Sequence, residues 1–225
     1  YNTVVGDEAG TAITTGDENV AIGYAALTAN TLGRYSTAVG TSALRAQNYT
    51  STTSAFNTAV GYDAGIAVTT GVQNTLIGGL AGDALTTGSQ NVALGYQALT
   101  LDDLGSDSVA IGKGTLQNQN YASATNSYNV AVGRDAGNDV TTGVQNTLIG
   151  GLAGDALQDA DNNVALGYNA LTTDTLGSAS VAIGVSALGS QNFTSATSSY
   201  NTGVGYNAGA SVTTGQQNTL IGGLA

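Results

Sequence analysis

The sequence contains no cysteine, proline, methionine, tryptophan or histidine, and only 8% of its residues are charged. Each absence removes a class of chemistry. Without cysteine there is no disulfide. Without histidine or cysteine there is no usual transition-metal ligand set and no Ser–His or Cys–His nucleophile. Four basic residues stand against fifteen acids, for a net charge of −11. A nucleic-acid partner needs a basic surface to neutralise phosphates, so that class is excluded. No apolar run approaches the roughly 18 residues of a membrane span, and no signal peptide is visible. The acids change position from repeat to repeat and no base accompanies them. The reading is therefore no enzyme, no catalytic residue, no cofactor and no metal.

What is present is periodic. The 225 residues include 33 glycines, and Val, Ile and Leu recur on a fixed beat, which separates the chain from disordered sequences. A five-residue unit, [N/S]-[T/V]-x-[V/I/L]-G, occurs thirteen times. It closes at Gly6, Gly23, Gly40, Gly61, Gly78, Gly95, Gly112, Gly133, Gly150, Gly167, Gly184, Gly205 and Gly222. Successive spacings are 17, 17, 21, 17, 17, 17, 21, 17, 17, 17, 21 and 17, so three turns of 17 and one of 21 make a superperiod of 72. The stretch TTGVQNTLIGGLAGDAL appears identically at 69–85 and 141–157, one superperiod apart. The array reads as one continuous repeat domain, 1–225, with superrepeats near 1–56, 57–128, 129–200 and a partial 201–225. Its start at Tyr1 and its stop within a unit lead us to expect a window cut from a longer array.

Such a period predicts an all-β parallel solenoid. A strand of about four or five residues ends at a glycine free to take positive φ, and a second extended segment such as AITT ends at the next glycine, in TTG or TLG. Seventeen residues cannot hold a strand, a crossover helix and two loops. At about 4.8 Å per coil, thirteen coils would span roughly 60 Å. The Asn opening most units would stack into a ladder. Positions two and four of the unit share one strand face and position three, mostly Ala, lies on the other. We expect the bulky face inward and the Ala stripe outward, where another chain could approach closely. Leu76, Leu148 and Leu220, together with Leu80 and Leu152, would then mark a subunit contact. A homo-oligomer is the expected partner arrangement, because so thin a core gains stability by stacking.

The units NVAIGYAAL, STAVGTSAL, NTAVGYDAG, NVALGYQAL and SVAIGVSAL resemble the head repeats of trimeric autotransporter adhesins. The longer form with TTG between units is similar to repeat arrays of phage tail fibres and of bacterial tail-fibre-domain surface proteins. The resemblance covers the whole chain and implies a left-handed parallel β-roll, three chains side by side, and an extracellular or virion location. Two departures stand: the repeat is 17 or 21 residues, longer than the commonest adhesin repeat, and these residues include no neck, coiled-coil stalk or anchor.

Other readings of the same residues are weaker. IGGLAGDAL lacks the Lys-Ser/Thr of a phosphate loop. Asp83 and Asp155 are too sparse for a calcium β-roll, and Asp102, Asp103 and Asp107, or Asp159 and Asp161, would gather an ion only if loops converged. The acids are expected in solvated loops. Regular Thr in TTG could order ice on a monomeric solenoid, the alternative to a fibre, yet other turns replace it. The 21-residue turns place aromatics at two slots, Tyr49 with Phe56, Tyr121 with Tyr128, and Phe193 with Tyr200. They are read first as folding back to cap the bulge and pack on the rod, and in the alternative as ligand-contact residues suited to host-surface carbohydrate or protein. NYT and NFT also make glycosylation sequons at Asn48 and Asn192, but Asn120 lacks one.

Overall fold

The computed structural model describes residues 1–225. The chain is all-β without a helix, a parallel β-solenoid with thirteen sheet strands, one per repeat unit. It divides into two compact units. Unit 1 comprises Tyr1–Ser108 with Asn120–Asn126, and unit 2 comprises Val109–Gln119 with Ser127–Ala225. In unit 1 the sheet strands are Thr3–Val5, Val20–Ile22, Thr37–Val39, Thr58–Val60, Thr75–Ile77 and Val92–Leu94. Each pairs in parallel with the next, position for position, as in Thr58↔Thr75, Ala59↔Leu76 and Val60↔Ile77. In unit 2 the seven strands from Val109–Ile111 to Thr219–Ile221 pair by the same rule.

The sheet strands are three residues long, shorter than the spacing alone predicts, because the residue directly after the third is the corner glycine. All thirteen corner glycines have φ between 125° and 145°, a region closed to side chains. They also stack: a Cβ on Gly78 would lie 2.5 Å from the Gly95 carbonyl oxygen. The second glycine column, closing TTG or TLG, answers to approach alone. Gly71 and Gly88 have ordinary φ, but a Cβ on either would strike the next coil's backbone. The expected second extended segment is corrected. AITT and its equivalents run as turns, hydrogen-bonded coil to coil (Thr69 N to Thr86 O, 2.9 Å). A second pair of short strands forms only beside the long turns: Gly33–Arg34 with Thr53–Ser54, Gly105–Ser106 with Thr125–Asn126, and Gly177–Ser178 with Thr197–Ser198.

The largest correction concerns which face is inside. The small residue at position three points inward: Ala21, Ala38, Ala59, Ala93, Ala110, Ala131, Ala165 and Ala182 are fully buried. The bulky positions two and four point outward. The alternation is as expected and its sense is reversed. The reason is the width of the coil. Even at Gly203, a Cβ would lie 2.9 Å from Leu188 Cγ and 3.0 Å from the Ala208 oxygen, so a methyl group already fills the space. In such a coil a branched side chain does not fit at position three, and the branched residues stand at positions two and four, which turn out.

Leu76 and Leu148 are therefore interior and not subunit contacts; both are fully buried, and Leu220 packs on Gly209. They explain the 72-residue superperiod as a pattern of interior volume. Four residues past the corner glycine, two coils carry Gly (Gly65, Gly82) and the next two Leu (Leu99, Leu116). Leu76 fills the room left by the glycines, since a Cβ on Gly65 or Gly82 would lie 2.6 or 2.7 Å from its methyl groups. Seven residues past the corner the complement appears. Gly coils carry Val68 and Leu85, while Leu coils carry buried polar groups such as Asn30, Gln47, Asp174 and Gln191. Leu80 and Leu152 remain outside and partly exposed.

The Asn column forms a ladder, and it is internal. Asn74 Nδ2 crosses the coil to the Gly88 oxygen (2.9 Å), and its Oδ1 accepts from the Asn91 backbone N–H (3.0 Å). Where Ser36 or Ser180 replaces Asn, the buried Gln47 or Gln191 supplies the missing amide, reaching the serine hydroxyl at 3.0 and 2.8 Å.

Candidate functional site

The six aromatics of the long turns separate into two groups. Tyr49, Tyr121 and Phe193 are buried, with 6%, 4% and 5% of their surface exposed, so their reading as surface contacts is corrected. Tyr49 plugs the coil: its ring lies against Gly33, where a Cβ would sit 2.9 Å from Cδ2. Its hydroxyl donates to the Gly71 oxygen (2.8 Å) and accepts from Asn57 Nδ2 (3.2 Å). Burial pushes the Tyr49 phenol up to about 12, against which the Asn57 bond acts weakly. Phe193 in the same slot shows that a ring suffices there. A four-residue insertion exposes the coil's interior at that edge, and an aromatic closes it. Phe56, Tyr128 and Tyr200 are more than half exposed. Phe56 stacks on Tyr35 at 5.0 Å between centroids and 6° between planes, with the Arg34 guanidinium 4.9 Å from the Tyr35 centroid. Asp17 pairs with Arg34 and holds its pKa above the usual value.

The acids have varied surroundings, which the sequence reading missed. Asp102 and Asp174 are fully buried. Asp174 is held by the backbone N–H groups of Gly177 and Phe193 (both 3.0 Å) and by Gln191 Nε2 (2.5 Å). Asp102 accepts from the Gly105 N–H at 2.8 Å. Both take the turn-bracing place of Asn30 and are not solvated loop acids. Desolvation, first of all, raises the pKa of Asp83 and Asp155. Asp159 accepts from Thr142 and Asp161 from the Val144 N–H, both at 2.8 Å. No three carboxylates or other ligand side chains converge. In TTG, the first Thr hydroxyl is committed to a backbone carbonyl of the next coil, as in Thr14, Thr69 and Thr86.

The outer face of the sheet carries partly exposed aliphatic residues in register. In unit 1 it is built by Val20 and Ile22, Thr37 and Val39, Thr58 and Val60, Thr75 and Ile77, and Val92 and Leu94, in register along hydrogen-bonded strands. Ile22 and Leu94 keep 37% and 41% of their surface exposed, and in unit 2 Leu166 keeps 43%. Isolated exposed aliphatics are ordinary; here they stand in ordered columns on one face. Most residues of the position-two and position-four columns are β-branched Val, Ile or Thr, with little side-chain entropy to lose. Comparison with family models, with curated proteins and with solved structures gives no match.

Proposed function

We propose that the chain is a structural shaft of an extracellular or virion fibre, used for display and for attachment to a host or other surface. It assembles side by side with copies of itself, three by resemblance to the adhesin heads. The observation that carries the reading is the outward aliphatic ladder at positions two and four. A lone solenoid leaves this face in water, whereas a second and third copy bury it against the same face. At about 25 cal/mol per Å² of apolar surface removed from water, even a few hundred Å² per chain favours assembly by several kcal/mol before the cost of association. A fibre needs length and stiffness and no catalytic site, and the two glycine columns with the internal amide ladder supply both. Phe56, Tyr128 and Tyr200, which project from the long turns, are the residues of the original six still placed to meet carbohydrate or protein.

Sedimentation equilibrium on the full chain tests this. A mass of three chains is expected at micromolar concentration. A stable, fully folded monomer would overturn the assembly and with it the shaft.

A further inference from the structure

The residue after each corner glycine lies outside the sheet, and in unit 1 its identity alternates from coil to coil: Asp7, Tyr24, Thr41, Tyr62, Gly79, Tyr96. Backbone hydrogen bonds hold these residues in one column. Ser42 N donates to the Tyr24 oxygen (2.8 Å), Asp63 N to Thr41 (2.9 Å), Leu80 N to Tyr62 (2.9 Å) and Gln97 N to Gly79 (3.1 Å). Tyrosine thus recurs on every second coil, about 9.6 Å apart at the usual strand spacing. In unit 2 the alternation recurs in part: Tyr168 and Tyr206 flank Val185, while Arg134 takes the slot where another tyrosine would stand.

The alternation has a steric cause. Two of the rings lean back over the preceding coil: a Cβ on Gly79 would lie 3.6 Å from Tyr96 Cδ2, and one on Gly151 3.5 Å from Tyr168 Cδ2. Tyr24 likewise reaches Glu8, one coil back, whose charge and then hydrogen bonding raise its phenol pKa. A ring that spans two coils leaves no room for another between. One side of each ring rests on the protein and the other stays open, with 50%, 61% and 51% of Tyr24, Tyr62 and Tyr96 exposed.

We propose that Tyr24, Tyr62 and Tyr96 are a stacking platform for an extended, uncharged β-1,4-linked polysaccharide. A pyranose ring offers a flat face of C–H groups, which packs on the face of a phenol, and the phenol hydroxyl bonds sugar hydroxyls. An extended β-1,4 chain turns the same face of its sugars to one side at every second residue, and that two-sugar repeat closely matches the two-coil spacing. The low residues between the rings, Thr41 and Gly79, let a straight chain lie across all three. Asp63, whose hydrogen bond and charge raise the Tyr62 phenol, and Gln97 stand beside the rings as further hydroxyl partners. Charge selects among polymers: with a net charge of −11 overall and Asp7, Glu8 and Asp63 along this column, uronate or sulfate chains are repelled.

The test uses the full chain, with pull-down on microcrystalline cellulose and on chitin and electrophoresis through gels containing hydroxyethyl cellulose, starch or alginate. Retention by a β-1,4 polymer, without retardation by starch or alginate, is expected. The triple variant Tyr24→Ala, Tyr62→Ala, Tyr96→Ala weakens binding by at least about tenfold, with melting temperature and sedimentation mass unchanged. A second variant, Tyr62→Ser, leaves two rings about 19 Å apart with none between them, and it also loses binding. The proposal is overturned if neither cellulose nor chitin retains the protein or if either variant binds as well as the parent. It is equally overturned if the triple variant changes the sedimentation mass, since the row would then be a contact between copies.

Discussion

Asn74 shows how much one side chain carries when it sits on a ladder. The side chain donates to the Gly88 carbonyl and accepts from the Asn91 N–H, while the residue's backbone N–H donates to Asn57 Oδ1, all out of water. Asn74→Ala leaves two buried backbone groups unpaired, at about 1–3 kcal/mol each. We expect chemical denaturation to show a loss of about 2–5 kcal/mol, well above that of an exposed Gln90→Ala. Tyr49 gives a pH signature. Its folded pKa of about 12 lies above the ordinary phenol value of 10.0, so its contribution is full below pH 10 and is lost as pH rises toward 12. Thermal melts of the parent should therefore weaken between pH 10 and 12, and Tyr49→Phe should remove part of that slope. An equal slope in Tyr49→Phe would assign the effect to other groups.

A coil is the element of this fold, and there are two ways to fill it. One uses Gly four residues past the corner with an aliphatic three residues later, as in Gly82 and Leu85; the other uses Leu with a buried polar group, as in Leu27 and Asn30. Leu27, Leu44 and Leu99 hold φ of 48–55°, a strained state for a non-glycine residue, because their side chains fill the interior. Leu76→Ala should cost about 2–5 kcal/mol, as it empties the space between Gly65 and Gly82. Gly82→Leu alone should also destabilise, because its side chain meets Leu76. Together the two should recover part of the loss, a favourable coupling measurable in a double-mutant cycle. Additive losses would refute the volume exchange.

For the whole molecule, the outer sheet face decides whether the chain lives alone. Val39 and Ile77 lie on that face, away from the interior. Val39→Lys with Ile77→Lys should therefore keep the circular dichroism spectrum and lower the sedimentation mass toward one chain. Unfolding instead of dissociation would mean that these positions support the coil itself.

Period, strand parity, the parallel solenoid and the corner glycines were legible because they depend on backbone geometry alone: strands alternate with period two, and only glycine takes φ near 130°. Which face of each strand lies inside was not legible. Parity names two faces, and the distance across the coil chooses between them. Ala59 enters and Val60 leaves because the facing turn stands a methyl group away, a distance that no local pattern encodes. The same distance turned Leu76 from an outward bump into filling for two glycines. It drew Tyr49 inward as a plug and placed Asp174 among three donors instead of in solvent. The tyrosines Tyr24, Tyr62 and Tyr96 were written in the sequence after alternate corner glycines, yet they became a row only once coil stacked on coil, when residues 38 and 34 apart came to lie two coils apart.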